Sequence, residues 1–258
     1  MSAPALTKPY WEAVHSAAAR VIGVLFRPSS RRENQFSAVL IRYGSRRFIA
    51  TAQHCVEHLG DKEPLLLSTP TAPRGTPVDW VARYHFPQVR GRDADAAILE
   101  VTRKWADARN ADWADADEAG SRNARARRRV LLVGFPLEKT RRSPDKVVAG
   151  AFAVVTEVAA FPRGKQSDGP KMDPRVDVFL QFPEGRFRDQ HGSKVLGMDP
   201  RGMSGCPVFL VPGIPKSGIW APRLRLVAIQ SGWIKGWGLL RAKRIEYVVK
   251  LIQGVQPT

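Results

Sequence analysis

The sequence predicts an all-β fold, a barrel or a sandwich, in two halves of similar size with a helix at each end. Three observations support it. Short apolar runs recur at short intervals between Pro, Gly, Arg and Asp clusters. A polar, charged stretch, 102–129, separates one series of such runs from the next. The two ends have helical patterns instead.

The first half begins with a helical segment, residues 10–20, and continues with β-type runs. These runs are VIGVLF (21–26), FSAVLIRY (36–43), RRFIATA (46–52), PLLLST (64–69), DWVARYHF (79–86) and AAILEV (96–101). The sequence YGSRRF (43–48) predicts a hairpin turn between the second and third strands. We expect this half to span about residues 20–118, followed by a basic crossover at 119–129.

The second half, 130–242, contains a second series of β-type runs. They cover 130–136, 146–158, 175–182, 206–211, 224–233 and 236–242. The segment 159–174 is predicted to be a long polar loop. A closing helix is predicted over 244–253, within a terminal segment at 243–254, because four aliphatic residues recur there at helical spacing: Ile245, Val248, Val249 and Ile252.

The composition describes a basic globular protein. The 258 residues carry 41 Lys and Arg against 24 Asp and Glu, a formal net charge of +17, with a dense basic run at Arg125–Arg129. Such a charge favours encounters with anionic partners without determining the fold. The basic run has no interleaved aromatic residues and no nucleic-acid-binding motif accompanies it, so nucleic acid is a weak hypothesis.

Several protein classes are disfavoured by what the sequence lacks. Two cysteines, Cys55 and Cys206, cannot form a dense disulfide framework. The first 20 residues do not have the pattern of a secretory signal, and no run reaches the ~18–20 apolar residues of a membrane helix. We therefore expect a cytoplasmic location, no membrane partner and reduced thiols.

The stretch RGMSGCPVFLV (201–211) places Ser204 between two glycines, in a tight turn that leads into a buried strand. A serine nucleophile needs such a turn, because backbone N–H groups must point at the oxyanion that forms during acyl transfer. It also needs a base and an acid that orients the base.

Two other segments could supply the base and the acid. His54 follows the apolar strand of FIATAQHC, and both Asp93 and Asp95 precede the strand of AAILEV. His54 and His58 are four residues apart, which raises a metal site as an alternative, but the spacing matches the HExxH pattern only in part and no third ligand is evident. We predict no metal and no cofactor.

Together these segments resemble the trypsin-like, chymotrypsin-fold serine peptidases. TAQHC resembles the base motif of that family, DAAIL (95–99) its acid motif and GMSGCP (202–207) its nucleophile motif, in the same order along the chain. The resemblance selects Asp95 over Asp93. It implies two six-stranded antiparallel β-barrels with N-terminal and C-terminal helices.

The resemblance also implies a role for each residue. Ser204 would be the nucleophile, His54 the general base and Asp95 the orienting acid, with the amides of Gly202 and Ser204 as the oxyanion hole. In LVAIQSG, Ser231 and Gly232 would pair with the substrate main chain. Met198 would form the floor of the specificity pocket, with Asp199 beside it as the alternative. For His191 a structural role is favoured over one in lining that pocket.

The chain departs from the family pattern at three positions. Met203 stands where many secreted members carry the Asp that binds a newly cut N-terminus, so the chain resembles bacterial members that need no zymogen cleavage. We accordingly interpret Val21–Phe26 as an ordinary first strand. Cys55 and Cys206 are expected to be free thiols, with a redox pair between them as the alternative.

The sequence thus predicts a serine endopeptidase that acts on a protein or peptide substrate. A second hypothesis is a latent or inactive protease-fold module that docks an acidic or activating protein partner through Arg125–Arg129. A third is nucleic-acid binding through net charge alone, which the absence of a motif disfavours.

Overall fold

The computed structural model describes most of the chain. The described residues are 8–28, 35–60, 63–70, 72–85, 95–109, 111–116, 120, 124–143, 146–162, 172–182, 187–188, 194–195, 199–213 and 222–254. They form three α-helices and 18 strands, most of them short, as the sequence pattern predicts.

The first half contains a helix and seven strands. They are α1 (Lys8–Ala19), β1 (Ile22–Phe26), β2 (Gln35–Tyr43), β3 (Arg46–Thr51), β4 (Leu66–Thr69), β5 (Ala72–Pro77), β6 (Trp80–His85) and β7 (Ala97–Val101). After β7 come a short helix, α2 (Arg103–Asp107), and an eighth short strand, β8 (Ala114–Asp115). The seven strands pair antiparallel in the order β5-β4-β1-β2-β3-β7-β6, and β8 pairs parallel with β2.

The second half contains ten strands and the closing helix. They are β9 (Arg129–Gly134), β10 (Thr140–Ser143), β11 (Lys146–Ala149), β12 (Phe152–Glu157), β13 (Asp177–Gln181), β14 (Phe187–Arg188), β15 (Lys194–Val195), β16 (Pro207–Leu210), β17 (Arg225–Ile234), β18 (Leu239–Arg244) and α3 (Ile245–Gly254). Six of these strands form a sheet in the order β12-β9-β16-β17-β18-β13. A bridge between Val158 and Leu180 joins its two edges, so the sheet closes on itself.

The predicted fold class is confirmed: two curled antiparallel sheets with a helix at each end. The first sheet is larger than the six strands expected, because β5 extends it and the β10–β11 hairpin of the second half adds to β5. The sequence of β5, APRGTP, contains two prolines and a glycine, which are typical of turns. It becomes a strand because β4 and the hairpin lie on either side of it.

One apolar cluster holds the two halves and both terminal helices together. Its members include Val14 of α1, Val39 of β2, Val133 of β9, Phe209 of β16 and Ile252 of α3. Each of these five side chains is fully buried. A shared core fixes the orientation of one half against the other, and this orientation is needed for a site made from both.

Candidate active site

His54 and Asp95 meet because of the pairing between β3 and β7. Thr51, the last residue of β3, lies opposite Ala97, the first residue of β7. The 3-10 helix at Gln53–Cys55 follows Thr51, and Asp95 lies two residues before Ala97. Both are therefore at the same end of the sheet. Asp93, the alternative acid, lies outside the described residues.

The side chain of Asp95 holds the imidazole of His54 at two points. Nδ1 of His54 lies 2.9 Å from Oδ2 and 3.0 Å from Oδ1 of Asp95, and the backbone N–H of His54 donates to Oδ1 at 3.0 Å. This arrangement leaves Nε2 directed away from the carboxylate. The side chain of Asp95 is 14% exposed, whereas that of His54 is 46% exposed and accessible from the cleft.

The pair shifts the pKa values of both partners in opposite directions. The hydrogen bond that His54 donates to Asp95, with a smaller contribution from the Cys55 thiol, raises the pKa of His54 above its usual 6.5. Burial acts to raise the pKa of Asp95, but the hydrogen bonds and charge of His54 outweigh it and hold that pKa below the usual value. Asp95 is therefore ionised, and it stabilises the imidazolium form of His54.

Ser204 lies in a loop made of two successive type II turns. The N–H of Met203 donates to the carbonyl of Pro200 at 2.9 Å, and Gly202 at the third position of that turn has φ +87°. The N–H of Cys206 donates to the carbonyl of Met203 at 2.8 Å, with Gly205 at φ +89°. A type II turn requires positive φ at its third residue, which explains a glycine on each side of Ser204.

The two predicted oxyanion donors, the N–H groups of Gly202 and Ser204, make no hydrogen bond to any residue in the described part of the chain. In a trans peptide the C=O and N–H point in opposite directions. The carbonyl of Arg201 accepts from the N–H of Leu137 at 2.9 Å and that of Met203 from Cys206, so the amides of Gly202 and Ser204 point away from these partners. Among the described residues neither amide donates a hydrogen bond, whereas Met203, Gly205 and Cys206 all use theirs.

A backbone contact between the halves brings Ser204 to the His54 end of the first sheet. The N–H of Ser37, in β2, donates to the carbonyl of Ser204 at 2.9 Å. Ser37 lies two residues beyond the Val39–Ala50 pair of β2 and β3, and is therefore close to the segment that carries His54. His54, Gly202 and Ser204 accordingly line the same cavity, which has a volume of about 500 Å³.

The cavity has further lining residues that sequence reasoning did not identify as site residues. They are Arg27, Gln35, Phe36, Leu137 and Arg201. Cys55 and His58 line the same cavity. They come from loops or strand ends, and only the three-dimensional pairing brings them together. His58 is exposed and 3.2 Å from Glu57, in agreement with its interpretation as a surface histidine.

The predicted substrate-contacting residues are only partly described. Ser231 is buried in β17, next to Gln230, whose backbone exchanges two hydrogen bonds with Gly205 and Cys206; Gly232 follows a bulge between β17 and β18. Asp199 pairs with Arg201 at 2.6 Å and is not among the residues that line the cavity. Met198 and His191 lie outside the described residues.

Met203 and the two cysteines have apolar surroundings. Met203 and Cys206 are fully buried in one cluster of the second half, while Cys55 packs against a different cluster in the first half. Both cysteines are free. Burial raises the pKa of each thiol, although His54 partly offsets the effect at Cys55. Met203 therefore anchors the nucleophile loop by apolar packing.

Within the described part of the chain, no three His, Cys, Asp or Glu side chains come together in a group that could hold a metal ion. In the same residues, no helix combines the length and the apolar character needed to cross a membrane.

The architecture is similar to that of solved trypsin-like serine proteases at low sequence identity. A scabies mite inactivated protease paralogue, S-I1, has a TM-score of 0.59 and 15% identity over 92% of this chain and 93% of its own. Human heparin binding protein has a TM-score of 0.55 and 12% identity over 93% and 94%. A serine endoprotease from Yersinia pestis has a TM-score of 0.54 and 17% identity over 98% and 67%.

At these identities the likeness shows the fold alone. No protein-family model matches the sequence, and no curated protein matches it either. The structural neighbours include both proteases and an inactivated paralogue, so the fold by itself does not decide between an enzyme and a binding module.

Proposed function

We propose that the protein is a serine endopeptidase whose nucleophile is Ser204. The observation that carries the proposal is the nucleophile loop: the two amides expected to bind an oxyanion, those of Gly202 and Ser204, are the two that make no hydrogen bond within the described residues. They line the same cavity as His54, which Asp95 holds through Nδ1. Gly202 and Ser204 are half-buried at this cavity, so an oxyanion bound there can replace the water that otherwise satisfies the two donors.

The proposed reaction proceeds through an acyl-enzyme. Nε2 of His54 takes the proton of the Ser204 hydroxyl as Oγ attacks the scissile carbonyl carbon. The carbonyl oxygen becomes an oxyanion and accepts hydrogen bonds from the amides of Gly202 and Ser204. His54 then gives the proton to the leaving amine, the C–N bond breaks, and water hydrolyses the ester by the same sequence of steps.

Asp95 supports this cycle by holding one tautomer of His54. Its carboxylate accepts a hydrogen bond from Nδ1–H of His54, which leaves Nε2 available as the base. The carboxylate also stabilises the cation formed after proton transfer. In the proposed complex the substrate main chain pairs with Ser231 and Gly232 at the end of β17 as an added strand. Met198 and Asp199 remain the proposed specificity residues. The protein as a whole is proposed to be a dedicated intracellular processing protease that needs no zymogen activation.

A covalent label on the nucleophile tests the proposal. We expect a fluorophosphonate to add once to the native protein, at Ser204, as measured by intact mass and peptide mapping. Ser204→Ala should abolish labelling and peptide hydrolysis while leaving the circular dichroism spectrum unchanged. Ser45→Ala is the matched control, because Ser45 is an exposed hairpin serine and its loss should change neither. An unlabelled native wild-type protein would contradict the proposal.

The charge supports a second candidate, a protease-fold module that binds an acidic partner. The chain carries a formal charge of +17, and the side chains of Arg125, Arg127 and Arg128 are exposed. Two backbone hydrogen bonds hold the turn that bears them. The backbone N–H of Arg127 donates to the carbonyl of Val158 at 2.7 Å, and the N–H of Val158 donates to the carbonyl of Arg128 at 2.9 Å. Two of the structural neighbours are described as an inactivated paralogue and as heparin binding protein.

A further inference from the structure

Ser37 is a buried polar residue outside the proposed catalytic groups, and both its N–H and its hydroxyl contact the nucleophile loop. Its residue surface is 1% exposed. Its N–H donates to the carbonyl of Ser204 at 2.9 Å, and its carbonyl accepts from the hydroxyl of Thr51 at 2.9 Å. Its hydroxyl donates to the carbonyl of Gly202 at 2.9 Å and accepts from the N–H of Phe135 at 3.0 Å.

The hydroxyl of Ser37 therefore joins three separate segments. It lies on β2 of the first half, and it connects the nucleophile loop to the segment that follows β9. That same segment also holds the loop at a second point, because Leu137 donates to the carbonyl of Arg201. The peptide bonds before and after Gly202 are thus each fixed by a hydrogen bond to their carbonyl oxygen.

Gly202 needs these restraints because of its own freedom. A glycine rotates about φ and ψ at little cost, so the peptides on either side of it can turn unless their polar atoms are held. A rotation at Gly202 would change the direction of its N–H relative to that of Ser204, and an oxyanion needs both donors at once. Met203 beside it is a neutral, buried side chain and cannot restrain the loop by an ion pair.

We infer that Ser37 is a positioning residue for the oxyanion site: its hydroxyl fixes the Gly202–Met203 peptide. That peptide links the one that carries the Gly202 N–H to the one that carries the Ser204 N–H, so holding it sets the direction of one amide relative to the other. The inference rests on the proposed peptidase function. It assigns to the first half a direct part in transition-state stabilisation, in addition to carrying His54 and Asp95.

The variant Ser37→Ala removes the hydroxyl and keeps the backbone bond to Ser204. Because a misplaced donor weakens binding of the transition state more than that of the substrate, we expect kcat to fall about 10- to 100-fold while KM stays within about threefold. The inhibition constant of a peptidyl boronate, which forms a tetrahedral adduct on the nucleophile, should rise by a similar factor. Active-site titration with a fluorophosphonate normalises each rate to folded enzyme.

Thr156→Val is the matched control. Thr156 is also buried and also donates its hydroxyl to a backbone carbonyl, that of Gln181, but it lies within the second half and does not line the cavity. The Thr156→Val variant should have a lower free energy of unfolding but the kcat of the wild-type protein. Should Ser37→Ala not fold, Ser37→Cys keeps a small side chain with a weak donor and should give an intermediate kcat at unchanged KM.

The results separate the inference from the function on which it rests. Wild-type kcat in Ser37→Ala, or an equal loss in Thr156→Val, overturns the positioning role while leaving the peptidase proposal intact. A wild-type protein that neither turns over peptides nor takes the label overturns the peptidase proposal, and the inference with it.

Discussion

At the scale of single residues, the pair of His54 and Asp95 should set the pH dependence of the proposed peptidase activity. In that reaction the neutral imidazole is the base, so we expect kcat/KM to rise with pH through the pKa of His54. The carboxylate of Asp95 raises that pKa above 6.5, and the rise in activity should therefore be centred above pH 6.5 in the wild-type protein.

Asp95→Asn should lower kcat by roughly 10³- to 10⁴-fold, because the neutral amide no longer holds the productive tautomer or stabilises the cation. The midpoint of the remaining activity should move to lower pH, since the anion that raised the pKa is gone. A profile of kcat/KM against pH for both proteins measures the shift, and an unchanged or higher midpoint in the variant would contradict the assigned coupling.

The same scale shows how far sequence reasoning reached. His54, Asp95 and Ser204 could be predicted as one site because each sits in a short local motif beside a strand. Ser37 and Leu137 could not, because their contacts with Gly202 and Arg201 join positions 165 and 64 residues apart in the sequence. Nothing in FSAVLIRY distinguishes Ser37 from a strand residue on an exposed face.

At the scale of elements, the nucleophile loop depends on space as well as on backbone angle. Gly205 has φ +89°, and a Cβ on it would collide with the carbonyl oxygen of Ser37 and with Oγ1 of Thr51. Gly44, in the hairpin between β2 and β3, also has positive φ, +54°, but a Cβ there would meet no atom within 4 Å. An alanine at Gly44 would therefore meet only backbone strain, whereas an alanine at Gly205 would meet the same strain and a steric collision as well.

Gly44→Ala should cost about 1 kcal/mol of unfolding free energy, the penalty of a left-handed conformation alone. Gly205→Ala should cost more than about 3 kcal/mol and abolish activity, because the strain adds to the collision and displaces Ser204. Denaturant unfolding of both variants measures the difference. Equal losses would show that the loop tolerates a side chain at Gly205.

The strands that sequence patterns missed are those whose formation depends on pairing with neighbouring strands. The run 146–158 was expected to be one strand, but it divides at Gly150 into β11, which pairs with β10 and β5, and β12, which pairs with β9. Apolar runs such as β1, β3 and β7 were predicted well because their burial is encoded in their own residues.

At the scale of the whole molecule, the terminal helices contribute to the core that joins the two halves. Ile252 of α3 is fully buried in the same cluster as Val14 of α1 and Phe209 of β16. Ile252→Ala should lower the unfolding free energy by about 2–5 kcal/mol, whereas Lys250→Ala, on the exposed face of α3, should change it by less than about 0.5 kcal/mol. Comparable effects of the two changes would show that α3 is not part of the common core.

The charge of the molecule raises the last question, whether anion binding is local or general. A protein of charge +17 should be retained on a heparin column and released by salt whatever its role. If the turn at Arg125–Arg129 is a docking surface, replacing Arg125, Arg127 and Arg128 together with Gln should lower the eluting salt concentration more than the same charge removed elsewhere.

Lys104, Arg223 and Arg225 provide that comparison, because all three are exposed and lie outside the turn. Both triple variants carry a formal charge of +14, from 17 minus 3. Net charge acts over the whole surface and predicts equal shifts, whereas a defined surface predicts a larger shift for the turn variant. Equal elution of the two would exclude the turn as a docking surface, and unchanged peptidase rates in both would separate anion binding from the chemistry at Ser204.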